Sequence, residues 1–346
     1  MSPEQQQVSP SAEGELSPGQ RGATLERVLS LTIEEELPKE IIAFKFGGSS
    51  LLGAERLLHA ASLVRDTAQA SSVVVIASAM KGVTDRLLHL ALLLAEGRND
   101  AARKEGEAIV DLHLSTLSDL NLELADYEPV AGKLKLLSQD LFHEVPARGR
   151  TLVDAALFDR VSSFGERFAV RLFAAALLAN GIAAVPVSAS DFVLTCDSFR
   201  DAKPHLELTR QRGRQVLLPL LQSGIVPVVT GFIGATRDGR ITTLGRNSSD
   251  FSGALIAHVV DAEELVIWTD VDGVYTANPR ESKEAKLLHE LSYDEAHALA
   301  ASGAKVLHPH VLPLAAQTGM TVWIRNTFNP DARGTRIGAQ LNGGAA

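Results

Sequence analysis

The feature that most constrains this chain is a repeated change of hydrophobic period. Ile41–Phe46, Val73–Ala77, Ala183–Val187, Val226–Thr230, Leu265–Thr269 and Thr321–Ile324 are short apolar runs with little polar alternation. A strand with one wet face alternates, so runs of this kind read as strands buried on both faces, which is the habit of parallel sheets. Between them, Leu51–Ala68, Gly82–Ala95, Phe168–Asn180, Leu208–Gln222, Asp250–Val260 and Ser292–Ala301 carry apolar residues at helical spacing. Ser292 with Glu295 reads as a capping box at the start of the last of these. The alternation predicts an α/β fold, a doubly wound sheet with helices on both faces and a ligand crevice beyond the carboxyl ends of its strands. Asp238-Gly239 predicts a small hairpin outside the main sheet. Residues 97–150 read as helical without identifiable chemistry.

Composition narrows the function classes. The 346 residues carry 33 Lys+Arg against 42 Asp+Glu, a net charge of −9 that argues against nucleic acid or an anionic membrane as the main partner. A single cysteine, Cys196, excludes an intrachain disulfide and a Cys-rich metal cluster. No apolar stretch approaches the roughly 20 residues of a spanning helix, and the first residues show neither a basic nor an apolar leader segment, so the cytoplasm is the expected location. Residues 1–40 read as a disordered or partly helical extension, 41–338 as one folded domain, and 339–346 as a flexible tail.

Three segments could carry chemistry. Lys45-Phe46-Gly47-Gly48-Ser49-Ser50 joins a strand to a helix, where glycines let backbone amides approach an anion and the helix start adds partial positive charge. The bland alternative is a plain turn with a snorkelling lysine. A Walker A loop is excluded because Ala54-Glu55 stands where Lys-Ser/Thr would, and no G-x-G-x-x-G follows any predicted strand. Thr243-Leu244-Gly245-Arg246-Asn247-Ser248-Ser249-Asp250 again enters a helix; it binds an anion or merely caps the helix through Ser248 or Asp250. Trp268–Arg280 lies at the carboxyl end of a buried strand, with Asp270 and Asp272 as metal ligands or, favoured for Asp272, as turn residues. Weaker candidates are Ser78–Thr84, Glu166-Arg167 as an ion pair or a substrate clamp, and Lys305 near His308. His258, His308 and His310 show no metal spacing and read as structural, and Cys196 as a passive small residue.

Taken in order, Lys45–Ser50, Ser78–Leu87, Ser163–Arg167, Thr243–Asp250, Trp268–Arg280 and Ala304–Pro309 resemble the aspartokinase branch of the amino-acid kinase family, most nearly the kinase module fused to homoserine dehydrogenase. The resemblance runs from Ile41 to Gly338. It implies a three-layer αβα sandwich and transfer of the ATP γ-phosphoryl to the β-carboxylate of L-aspartate, with Mg²⁺ held mainly by nucleotide oxygens and no protein ligand assigned. It further implies Lys45 and Asp250 as catalytic residues. ATP would be held by Lys45, Phe46, Gly47, Gly48, Ser49, Thr269, Asp270, Tyr275, Arg280, Lys305 and Val306. L-Aspartate would be held by Thr84, Glu166, Arg246, Asn247, Ser248 and Ser249. A homodimer is compatible with this reading. Two departures stand out. The family usually has glycine at Ser248, so strain of about 1 kcal/mol is expected there if φ is positive. The sequence also ends soon after Ile337, where the family continues into paired ACT domains, so no feedback site is expected in this chain. Alternatives are a kinase of another small acid and a non-catalytic nucleotide-binding partner of a longer aspartokinase.

Overall fold

The structure, a computed structural model, describes residues 40–145, 154–246, 248–277, 282, 284–301 and 307–339. The expected N-terminal extension and most of the expected tail lie outside these residues. In chain order the elements are β1 (Ile41–Phe46), α1 (Ala54–Ala68), β2 (Ser72–Ala77), α2 (Val83–Ala95), α3 (Asn99–Asp119), α4 (Leu124–Glu144) and α5 (Ala155–Ala179). There follow β3 (Ala184–Val187), α6 (Leu206–Gln222), β4 (Val226–Thr230), β5 (Ile233–Ala235), β6 (Ile241–Thr243), α7 (Ser249–Val259) and β7 (Glu264–Thr269). The last are β8 (Val274–Tyr275), β9 (Leu287–Leu288), β10 (Glu290–Ser292), α8 (Tyr293–Ala301), α9 (Val311–Thr318), β11 (Thr321–Asn326) and β12 (Thr335–Gly338).

All six apolar runs become strands of one eight-stranded sheet, in the order β10-β12-β11-β7-β1-β2-β4-β3. The six are mutually parallel; β12 runs antiparallel to β11, and β10 pairs parallel to β12. Successive side chains of a strand point to opposite faces, and the two cores divide accordingly. Phe44, Phe46, Val73, Val75, Val226, Val228 and Trp268 pack with residues of α1 to α5, whereas Ala43, Val74, Ile76, Val229, Leu265, Ile267 and Val322 pack with residues of α6, α7 and α9. The result is the expected three-layer αβα sandwich. The Asp238-Gly239 turn joins β5 to β6 as an antiparallel hairpin. At α8 the capping box forms reciprocally: Glu295 N donates to Ser292 Oγ at 3.2 Å, and Ser292 N donates to Glu295 Oε2 at 2.7 Å.

Strand β1 has β2 and β4 on one side and β7 and β11 on the other, so the winding reverses there. Lys45 is level with Ile76 of β2 and Ile267 of β7, one residue before the strand ends. The lysine-glycine segment therefore leaves the sheet at its switch point, where a doubly wound fold opens its crevice. Beneath the turn, Phe46 stacks on Trp268 with centroids 6.1 Å apart and meets Phe173 edge-on at 5.1 Å, an apolar footing for the polar residues above it.

Among the described residues no helix is long and apolar enough to cross a membrane.

Candidate active site

Period two sends Lys45 to the face of α7, and the side chain, 8% exposed, ends 2.6 Å from Asp250 Oδ1 in the first turn of that helix. A buried ammonium without a partner is strongly disfavoured, so Asp250 is what allows a buried lysine near the end of a core strand. The turn after β1 is drawn in by backbone bonds: Gly47 N donates to Trp268 O at 3.1 Å and Lys81 N donates to Gly48 O at 3.0 Å. A Cβ on Gly48 would sit 2.5 Å from Ala79 O, so this position admits no side chain while the two loops stay in register. Ser50 and Thr327 share a hydroxyl hydrogen bond of 2.7 Å, and Arg56 donates to Ser49 O at 2.7 Å, which fastens the far side of the turn.

Helix α5 forms the opposite wall. It starts at Asp154, whose carboxylate accepts from Leu157 N at 2.8 Å. An added Cβ at Gly165 would fall 2.7 Å from Ala79 Cβ, so the helix lies directly against the loop after β2. That approach inserts Glu166, 3% exposed, beside the loop, where Oε1 accepts from Ala79 N at 3.1 Å. Among the described residues Oε2 has no partner, and neither does the nearby buried hydroxyl of Ser78. Burial outweighs the backbone amide bonds and pushes the Glu166 carboxyl up to about 8. An unpartnered carboxyl oxygen in an apolar setting is a receptor for a cation. Glu166 does not pair with Arg167, which reaches Asp140 at 3.4 Å instead, so the internal ion pair weighed for these neighbours is absent.

The third wall is the segment from β6 to α7. Arg246, 81% exposed, meets Asp85 of α2 at 3.0 Å and brings this wall next to Thr84, which is half-buried. Ser248 is fully buried, its hydroxyl has no partner among the described residues, and its backbone sits at φ −77°. The strain expected from replacing glycine there is therefore absent, because this φ is open to any L-residue. Ser249 opens α7. On the β7 side, Thr269 and Asp270 lie on the carboxyl rim, with the Thr269 hydroxyl 3.4 Å from Asp270 Oδ1. Tyr275 sits on β8, its phenol pushed up by burial and by Asp272. Asp272 accepts from Asn326 Nδ2 at 2.8 Å and Asn329 Nδ2 at 3.2 Å and thus acts as a loop staple, the favoured turn role.

The expected site residues Asn247, Arg280, Lys305 and Val306 lie outside the described residues. Lys45, Gly47, Gly48, Thr84, Glu166, Arg246, Ser248 and Asp250 come from separate segments and are brought to one end of the sheet. Sequence reasoning missed Asp85 and Asp159. The latter is 1% exposed, and no local motif marks it. His308 and His310, expected to be structural, pack on Phe251 with centroids 5.8 and 5.3 Å away. Cys196 Sγ accepts from Lys203 N at 3.3 Å and also bonds with Ser198.

The chain is thus a doubly wound α/β protein with a lysine-glycine turn at its switch point, facing the start of a helix. The chain belongs to the amino acid kinase family, whose sequence profile matches residues 40–326. It is similar to lysine-sensitive aspartokinase 3 of Escherichia coli, with 34% identity over 300 residues covering 86% of this chain and 64% of the relative. It is also similar to the chloroplastic bifunctional aspartokinase/homoserine dehydrogenase 1 of Arabidopsis thaliana, with 32% identity covering 94% of this chain and 36% of that one. Among solved structures it matches E. coli aspartokinase III in complex with aspartate and ADP, with a TM-score of 0.79 and 31% identity over 88% of this chain and 65% of that one. The chain thus spans under two thirds of one curated relative and about a third of the other.

Proposed function

We propose that this chain transfers the γ-phosphoryl group of ATP to the β-carboxylate of L-aspartate, giving 4-phospho-L-aspartate. The observation that carries the reading is the Lys45–Asp250 pair, 2.6 Å apart, standing over a glycine turn with the unpartnered Glu166 oxygen on the facing wall. The matched relative solved with aspartate and ADP supports the same pair of ligands for this chain.

The attacking carboxylate is already ionised, so the reaction asks for no general base. Catalysis rests on alignment and on neutralising the charge of the moving phosphoryl. Lys45 supplies the fixed positive charge, and Asp250 holds that ammonium in place through their short contact. The amides at Gly47 and Gly48 border the path of the transferring group. On the acceptor side, Glu166 takes the α-ammonium and Arg246 a carboxylate, while Thr84, Ser248 and Ser249 close the walls. Thr269, Asp270 and Tyr275 border the nucleotide, together with Phe46 and Ser49. Mg²⁺ bound with ATP would neutralise phosphate charge. Its ligands would be mainly the nucleotide's own phosphate oxygens.

The test is hydroxamate formation from ATP, Mg²⁺, hydroxylamine and a panel of small acids: L-aspartate, L-glutamate and N-acetyl-L-glutamate. L-Aspartate is expected to give product well above a Lys45→Ala control. Product from another acid alone, or none above the control, refutes the proposal.

A further inference from the structure

We infer that Asp159 is a positioning residue for the acceptor. It sets the Thr243–Arg246 wall at a fixed distance from Glu166. The inference rests on the reading of the site just given.

Asp159 and Glu166 lie on the same helix, α5, seven residues apart, which is two turns and about 10 Å along the axis. At one end of this span Glu166 enters the crevice. At the other, Asp159, 1% exposed, accepts from three donors on two other segments. Its Oδ2 takes Thr243 N at 2.9 Å and Arg200 N at 2.9 Å, and its Oδ1 takes the Thr243 hydroxyl at 2.8 Å. Thr243 ends β6 and begins the segment that carries Arg246 and leads into Asp250. The same segment is sewn to the Arg200 loop, since Ala202 N donates to Thr243 O at 2.9 Å. Arg200 itself holds φ at +72°, a strained value for a residue with a Cβ, which persists only where neighbours over-determine it.

Among the described residues none of its hydrogen bonds comes from a lysine or arginine side chain; the Arg200 charge acts on it only without such a bond, and burial still pushes the carboxyl up, so burying it costs free energy that merely joining loops does not require. It is economical if the result is a wall whose place is referred to the helix bearing Glu166. A carboxylate accepting from two backbone amides and a hydroxyl permits little lateral play. An acceptor spanning Glu166 and Arg246 is then measured against one rigid helix.

The experiment compares Asp159→Ala, Asp159→Asn and Thr243→Val in the full chain. It measures KM for L-aspartate at saturating ATP, kcat, ATP affinity by calorimetry, and amide exchange at Thr243 and Arg200. Displacing the wall in Asp159→Ala is expected to raise KM for L-aspartate about tenfold or more while ATP affinity stays within about twofold. Asp159→Asn keeps an oxygen for both backbone amides and an amide group for the hydroxyl, so it is expected to restore KM to within about threefold. Thr243→Val should fall between them, and the two amides should exchange faster in Asp159→Ala only. An unchanged KM in Asp159→Ala, or parallel loss of acid and ATP binding, overturns the inference. If Asp159→Ala does not fold, a wild-type KM in Thr243→Val overturns it. Wild-type enzyme that turns over no L-aspartate overturns the proposed function and this inference with it. Wild-type turnover with an indifferent Asp159 overturns the inference alone.

Discussion

Glu166 makes the acceptor site sensitive to pH in a direction that can be worked out. Its carboxyl, 3% exposed with one oxygen unpartnered among the described residues, is pushed up to about 8 by burial, so it is mostly protonated at neutral pH. A protonated carboxyl does not pair with an α-ammonium, so binding first requires loss of that proton. With half-ionisation near 8, the ionised fraction is about one in eleven at pH 7 and about three in four at pH 8.5. The apparent affinity for L-aspartate should therefore improve about eightfold across that interval, or about 1.2 kcal/mol. The ammonium of the free amino acid stays charged throughout. Binding at pH 7 should also release nearly one proton, which calorimetry detects as a heat that varies with the ionisation enthalpy of the buffer. Glu166→Gln should bind more weakly, show no such slope and release no proton. A wild-type KM that is flat between pH 7 and 8.5, with a buffer-independent heat, refutes the assignment of Glu166 to the ammonium.

Other outcomes follow from the same structure. Lys45→Ala and Asp250→Ala each remove half of the pair at the switch point and should lower kcat by about a hundredfold or more; kcat within a few-fold of wild type would contradict the roles given to them. Glu166→Ala should act mainly on KM for L-aspartate, and an equal loss in kcat alone would contradict its placement away from the reacting carboxylate. His113 is fully buried, stacks on Phe168 at 4.6 Å, and is held neutral by desolvation, its pKa pulled down to about 4. A depressed histidine contributes stability above pH 6.5 that is lost as pH falls toward 4, so the stability gap between wild type and His113→Gln should narrow by about 2 kcal/mol between pH 7 and 5 in denaturant titrations. A constant gap would refute this. The buried Ser248 hydroxyl has no partner among the described residues, so Ser248→Ala should raise stability by about 1 kcal/mol, and a lower Tm would show that the hydroxyl is satisfied.

Some of this was legible before folding. Ile41–Phe46 and its five sister runs are strands because an unbroken apolar stretch of that length has nowhere to go but a sheet covered on both faces, and the layer architecture follows. The Ser292 box and the Asp238-Gly239 hairpin are local hydrogen-bond chemistry and formed as read. The order of the six motifs was enough to point to a family. Helix α5 was read from its apolar half only, because Asp159, Arg160, Ser162 and Ser163 break the pattern in its first turns, yet it begins at Ala155.

The remainder depended on which segments the sheet brings side by side. That Lys45 meets Asp250 follows from α7 crossing the face of β1, and no periodicity within either segment encodes it. Ser248 looked strained as a replacement for glycine and is not, since φ is set by how the loop enters α7. Glu166 is marked in the sequence as an ion-pair or clamp candidate, but its raised proton affinity exists only once α5 lies against Ala79 and closes water away from it. Asp159 has no motif at all; its partners Arg200 and Thr243 belong to segments remote in the chain. Hydrophobic period and local hydrogen bonds act over a few residues and are written in the order of side chains. Burial, charge pairing and proton affinity depend on neighbours that exist only once the layers have closed.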